Sequence, residues 1–154
     1  MSNREKLLRV VEDVLERFAF MFVEKDDEKR LSGASADCLH AVITFKGKTM
    51  GGLSVTAPTA LCREMAANVL GLDPVELGDG AEEDALQELA NVICGSLIPE
   101  LFGDHDAFDL TVPILYHVGT EKWNELAAEK DTVGLWIDDK PILFSLMTSE
   151  VAVR

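Results

Sequence analysis

The stretch Glu82–Phe102, EEDALQELANVICGSLIPELF, limits the possible folds more than any other part of the chain. Helical residues advance about 100° each, so with Leu86 at zero, Leu89, Ala90, Ile93 and Leu97 fall within about 60° of it. That apolar stripe predicts one long helix with a buried face. Glu88, Asn91 and Gly95 fall at about 200°, 140° and 180°, with Asp84 beside them. A carboxylate, an amide and a glycine thus share the face turned away from the core. Asn is a mediocre helix former, and Gly costs about 1 kcal/mol against Ala in a helix interior. A helix that only covered a core would do better with Ala or Lys at both places. Gly95 opens room for another molecule to approach the backbone beside Asn91. Pro99 lacks the N–H that would bond the carbonyl of residue 95, so the helix is expected to bend or loosen there. On these residues alone, a solvated and kinked face is the ordinary explanation.

The flanking sequence predicts what this helix packs on. Residues 4–26 carry Leu7, Leu8, Val11, Leu15, Phe18 and Phe22 at helical spacing and are read as a first amphipathic helix. The charged run Lys25–Arg30 is read as a solvated turn. Residues 37–45 and 49–56 read as strands joined by a tight hairpin at Lys46-Gly47-Lys48. Gly51 and Gly52 within the second strand imply a bulge or a close approach of backbones. Pro58 suits the first turn of a second helix with a buried stripe of Leu61, Met65 and Val69, stopped by Gly71 and Pro74. Asp79, three residues before Glu82, suggests a capping box for the long helix. Beyond it, residues 108–116 read as one strand, demoted to an edge or a bulge by Pro113. Residues 120–130, with Trp123, Leu126 and Ala127, fit a short helix or an ordered loop. Residues 132–137 and 142–147 form a second hairpin around Asp138-Asp139-Lys140, with the tail through Val151 continuing the last strand.

Helix followed by paired strands therefore occurs twice, over 4–56 and 82–147. The expected fold class is α+β: a mostly antiparallel sheet with long helices on one face, built from two related halves in one domain spanning 1–154.

Charge and composition exclude several functions. The formal net charge of −14, from 28 acidic and 14 basic residues, repels nucleic acid and anionic membranes. The run Phe18–Val23 is far shorter than the roughly 20 residues a membrane span needs. Charged residues break up Leu7–Val23, which argues against a signal peptide. Cys38, Cys62 and Cys94 lack CxxC spacing and read as reduced core thiols of a cytoplasmic protein. His40, His105 and His117 are scattered, and no GxSxG, GxGxxG or P-loop is present. Asp104-His105-Asp106 reads as a polar loop, so no metal site is expected.

Glu88 and Asn91 remain. An amide can donate to one oxygen and accept from a water, and so can orient water for attack without titrating. A carboxylate one turn away can hold a cationic partner. The pair suits hydrolysis of a group carried by another protein that supplies the rest of the machinery. The bare Glu-x-x-Asn pattern is cheap and recurs at Glu121–Asn124.

The context is more specific. Glu88-Leu-Ala-Asn91-Val-Ile-Cys-Gly95 resembles the signature helix of the CheC/CheX phosphatases of bacterial chemotaxis, which reads Glu-Leu-Ala-Asn, two or three apolar or small residues, then Gly-Asn. Gly52-Leu-Ser-Val-Thr-Ala-Pro58 resembles the family's strand leading into its second helix. Phe108-Asp-Leu-Thr-Val-Pro113 resembles the proline-containing strand after the signature helix. The order of elements agrees over essentially the whole chain. The resemblance implies a pseudo-symmetric CheX/CheC-like fold and a phosphatase acting on the aspartyl phosphate of a CheY-type receiver domain. Asn91 would orient the attacking water and Glu88 would dock a receiver lysine, with Asp84 and Gly95 beside the partner. The Mg²⁺ would belong to the receiver, with no cofactor bound by this chain. CheC-type members carry two such sites, whereas the first helix here offers Glu12-Asp-Val-Leu15 and Glu16-Arg-Phe-Ala19 without an Asn. One site is the CheX-like arrangement, which also implies a homodimer. Ser96 stands where the family usually has Asn, and Pro99 follows soon after. The alternative, from a different class, is a non-catalytic module that binds a receiver or another signalling partner through the same helix face. A structural relative of the flagellar switch proteins would leave Glu88 and Asn91 without a shared role.

Overall fold

The computed structural model describes residues 1–24 and 37–150. The expected turn at 25–30 and the continuation through Val151 lie outside them. The elements run α1 (Asn3–Ala19), β1 (Cys38–Lys46), β2 (Thr49–Pro58), α2 (Thr59–Leu70), a 3-10 turn (Pro74–Glu76), α3 (Ala81–Phe102), β3 (Asp109–Leu110), β4 (Ile114–Val118), α4 (Thr120–Ala128), β5 (Thr132–Ile137) and β6 (Lys140–Glu150). The six strands form one antiparallel sheet in the order β3-β1-β2-β6-β5, with β4 also pairing β1. The fold is the expected α+β class, four helices on a mostly antiparallel sheet.

Strand alternation decides which face the long helices take. Leu39, Ala41, Ile43 and Phe45 of β1, Leu53 and Val55 of β2, and Ile142 and Phe144 of β6 join one buried cluster with the apolar faces of α1, α2 and α3. The opposite parity of β1 and β6 supplies Cys38 and Leu143 to a second cluster, where Trp123 and Leu126 of α4 cover them. The two hairpins meet where β2 pairs β6, with Leu53 opposite Leu146 and Ser54 opposite Ser145. The order β1-β2-β6-β5 thus reads the same from either hairpin, as two related halves sharing one sheet require.

Several expectations need correction. The first helix ends at Ala19 and does not run to 26, because Phe20 takes a left-handed conformation (φ 56°, ψ 35°). The Met21 N–H then reaches back to the Leu15 carbonyl at 3.0 Å, and Met21 is buried while Phe22 is exposed. Asn68 Nδ2 donates to the freed Ala19 carbonyl at 2.9 Å, and the Glu24 N–H bonds the Trp136 carbonyl at 2.7 Å. Tertiary partners thus replace the next helical turn. Helix α3 is capped by Gly80 without a side-chain bond; the capping box belongs to Asp73 and Glu76 at the 3-10 turn. Pro58 precedes α2 as its N-cap, and Val69 is exposed, its expected place on the buried face being taken by Cys62 and Ala66. Residues 108–116 are not one strand. β3 and β4 are separated at Thr111–Pro113, where a Pro cannot donate to the ladder, and both pair the same edge of β1.

At Gly51 the reading of close approach is right. The register of β2 runs on without a bulge, and a Cβ there would collide with the Met147 carbonyl and the Phe45 ring. Phe45 in turn meets Phe102 and Phe108, whose rings stack at 4.9 Å, so the far end of α3 is held to β1 by aromatic contacts. The Asp138-Asp139 turn has φ of 49° and 65°, both positive, as a two-residue hairpin between right-twisted strands requires. Cys38, Cys62 and Cys94 are buried and form no disulfide; burial raises the Cys94 thiol to about 11.

His40 is a buried polar group under α4. It is 9% exposed, and its Nδ1 lies 2.6 Å from Thr56 Oγ1. Burial, and after it the positive charge of Lys122, lower its pKa below the usual histidine value. The unfolded chain therefore takes up this proton at a higher pH than the folded one, and stability is lost as pH falls through the folded value. The urea midpoint is expected to fall between about pH 7.5 and about pH 5.5, and His40→Gln is expected to flatten that slope. Equal slopes for the two proteins would exclude His40 as the source.

Candidate functional site

Helix α3 is the central member of the helical layer, packing on α1, α2 and β1. Its buried residues include Leu86, Leu89, Ala90, Ile93 and Leu97, the stripe expected from the sequence, together with Ala85, Cys94 and Ile98. With that side in the core, Asp84, Glu88, Asn91 and Gly95 all emerge on the exposed face. The helix is fastened along its length. Arg63 pairs Glu82 at 2.5 Å, Gln87 Nε2 donates to the Pro113 carbonyl at 2.9 Å, and Arg9 pairs Glu100 at 2.6 Å. Pro99 lies inside the helix, which runs on to Phe102; the Pro99 carbonyl accepts from the Gly103 N–H at 2.9 Å.

Asp84, Glu88 and Asn91 line one open cleft of about 490 Å³, whose other wall is Leu110–Pro113, from the end of β3 to the start of β4. Neither the Glu88 nor the Asn91 side chain has a hydrogen bond or ion pair among the described residues. Two polar groups one turn apart are therefore presented to solvent on a braced helix, with no side-chain bond among the described residues to break before a partner is met. Gly95 lies one turn beyond Asn91 and does not line the cleft. Among the described residues, nothing beyond its chain neighbours and the helix's own backbone stands within 4 Å of where its Cβ would be, so the helix surface there is open.

The sequence reading missed Gln87 and the Leu110–Pro113 segment. Gln87 ties that segment to α3, and Val112 at its tip is 82% exposed. Pro113 was the available signal, since it marks where the strand must leave the ladder. The other candidates separate from the site. Asp106 pairs Lys48 at 2.5 Å, and no group of three or more potential metal ligands occurs among the described residues. Glu121 and Asn124 lie on α4, across the sheet from α3. No helix among the described residues is long and apolar enough to cross a membrane.

Solved structures share the fold. Chemotaxis protein CheX from Vibrio vulnificus is 18% identical with a TM-score of 0.69, covering 97% of each chain. A CheX from Desulfovibrio desulfuricans is 15% identical with a TM-score of 0.70, covering 97% of this chain and all of that one. The CheX–CheY–BeF3–Mg²⁺ complex from Borrelia burgdorferi matches at 16% identity and a TM-score of 0.60, covering 97% of this chain and 99% of that one. At these identities the likeness is one of fold. No curated protein matches the chain by sequence. The family model described as chemotaxis phosphatase CheX matches residues 39–133, which take in β1 from its second residue, β2, α2 and the whole of α3. That match takes in more than half of the 154 residues, and the chain belongs to the CheX chemotaxis phosphatase family.

Proposed function

We propose that this chain hydrolyses the aspartyl phosphate of a CheY-type receiver domain, with Asn91 orienting the attacking water and Glu88 docking a receiver lysine. The observation that carries the reading is the pairing of an exposed amide and an exposed carboxylate, one turn apart on a braced helix, without side-chain partners among the described residues. A ridge of this kind can enter a partner's crevice, where the Asn91 amide would hold a water in line with the phosphorus. The water oxygen bonds to phosphorus as the bond to the aspartyl oxygen breaks. The aspartate leaves as a carboxylate, and inorganic phosphate is released carrying the water's oxygen and its protons. The receiver's Mg²⁺ supplies the charge stabilisation on the phosphoryl oxygens, and this chain needs no cofactor of its own. The chain contributes position more than acid–base chemistry.

The Borrelia burgdorferi complex, in which a CheX is bound to CheY, supports the choice of partner. The acidic surface gives no long-range attraction to a phosphorylated site, so recognition depends on short-range contacts such as Glu88 with lysine. A homodimer through the sheet belongs to the same proposal. It is supported by the exposed Ile114 and Tyr116 on edge strand β4 and by Met50 and Met147 on the open sheet face.

The test is phosphate loss from a purified, phosphorylated CheY-type receiver in Mg²⁺, with and without this protein. Acceleration is expected. Glu88→Lys is expected to raise the half-saturating receiver concentration by at least about tenfold, because it sets like charges against each other in the docked state. Binding without acceleration by the wild type would favour a non-catalytic module.

A further inference from the structure

A second cleft, of about 360 Å³, shares Asp84 and Glu88 with the first but is walled by α1, α2 and the turn before α3. Its apolar surface comes from Phe18, which is half-buried, and from Val69 and Leu70, which are 38% and 58% exposed. Asp79, Asp84 and Glu88 are the exposed charged groups along it, and no basic side chain among the described residues lines it. Its walls are fixed to each other. Asn68 of α2 donates to the last carbonyl of α1 at 2.9 Å. Arg63 of α2 bonds Glu82 of α3 at 2.5 Å and the Pro74 carbonyl at 2.6 Å. The groove is therefore formed before anything enters it, which lowers the ordering cost of binding.

We propose that this groove seats an apolar side chain, flanked by lysine or arginine, from the same receiver domain whose lysine meets Glu88. The proposal rests on the receiver reading above and names a second point of its recognition. An exposed Val-Leu pair is covered favourably only by apolar surface, and three carboxylates with no basic lining residue among the described ones favour a cationic flank. A second copy of this chain fits poorly, since it brings another net charge of −14, and a two-fold contact here would set these carboxylates against each other. The groove and the Asn91 cleft lie on two flanks of α3 and share Asp84 and Glu88, so one partner straddling the ridge reaches both. Contact away from the phosphate then strengthens binding of substrate and transition state alike, which lowers the half-saturating receiver concentration without changing turnover at saturation.

The experiment uses a CheY-type receiver held with BeF3⁻ and Mg²⁺ for affinity, and the phosphorylated receiver for turnover. The double variant Val69→Ser, Leu70→Ser is expected to weaken binding by about tenfold or more. Its turnover at saturating receiver is expected to stay within about twofold of wild type. Both positions are exposed, and an unchanged thermal transition confirms the fold. Leu70→Met, which keeps the apolar volume, is expected to retain wild-type affinity. Unchanged affinity in the double variant overturns the proposal. So does a loss of self-association by sedimentation, which would make the groove a contact between copies. Failure of the catalytic reading is a different result: Asn91→Ala would keep its turnover whatever the groove variants do.

Discussion

Asn91→Ala is expected to lower turnover of the phosphorylated receiver by about 100-fold or more while leaving the fold intact. The size follows from the role: an amide that fixes a water in line removes orientational freedom, and misplacement of a reacting group by about 1 Å costs on that order. The fold survives because Asn91 is exposed and its side chain makes no bond among the described residues. Ala is also the better helix former by up to about 0.7 kcal/mol, so the thermal transition is expected to hold or rise slightly. Affinity for the BeF3⁻-held receiver is expected to change little, since Glu88 and the groove beside it remain. Asn91→Asp gives a second check. It keeps the shape but removes the N–H donor and adds a negative charge near an anionic group, so it is also expected to be inactive. Wild-type turnover in Asn91→Ala would sink the proposed mechanism.

Trp123→Ala is expected to have the largest effect on stability of any change away from the site. Trp123 is fully buried and, with Leu126, Cys38 and Leu143, forms the smaller cluster that holds α4 against the back of the sheet. Truncating a buried Trp costs about 3–5 kcal/mol, transfer and cavity together. At roughly 2–4 °C per kcal/mol for a chain of this size, the thermal midpoint is expected to fall by about 10 °C. Because α4 and α3 lie on opposite faces of the sheet, receiver turnover well below the transition is expected to stay near wild type. A midpoint unchanged from wild type would show that α4 adds nothing to the packing of β1 and β6.

These two residues differ in how legible they were. Asn91 could be found in the sequence because its placement conflicts with local preference: an amide and a glycine occupy the outer face of a helix whose inner face is regular. Trp123 gave no such signal. Its neighbours Leu126 and Ala127 are compatible with a helix or a loop, and only the partners Cys38 and Leu143, far away in sequence, settle the matter. Asp79 was misread for a related reason. A capping carboxylate is a local pattern, but the turn at Gly78–Gly80 puts Gly80, in a left-handed conformation, at the helix start.

What depends on period and on neighbours a few residues apart could be read directly from the order of residues. The 3.6-residue repeat of Leu86, Leu89, Ala90, Ile93 and Leu97 determined which side of α3 is buried, and hence that Asp84, Glu88, Asn91 and Gly95 face out. The alternation in β1, β2, β5 and β6 and the short polar turns between them determined two antiparallel hairpins. Where those elements stop, and what stands beside the candidate site, follow from packing between distant segments. The apolar spacing continues past Ala19, yet α1 ends there because Asn68 takes its last carbonyl and Met21 has a place in the core. Pro113 marks a break, yet only the pairing of β3 and β4 with one edge of β1, and the bond from Gln87, bring Leu110–Pro113 against Asn91. Periodicity is a property of one segment; a boundary or a cleft is a competition among segments, settled by whichever partner satisfies the backbone and fills the space.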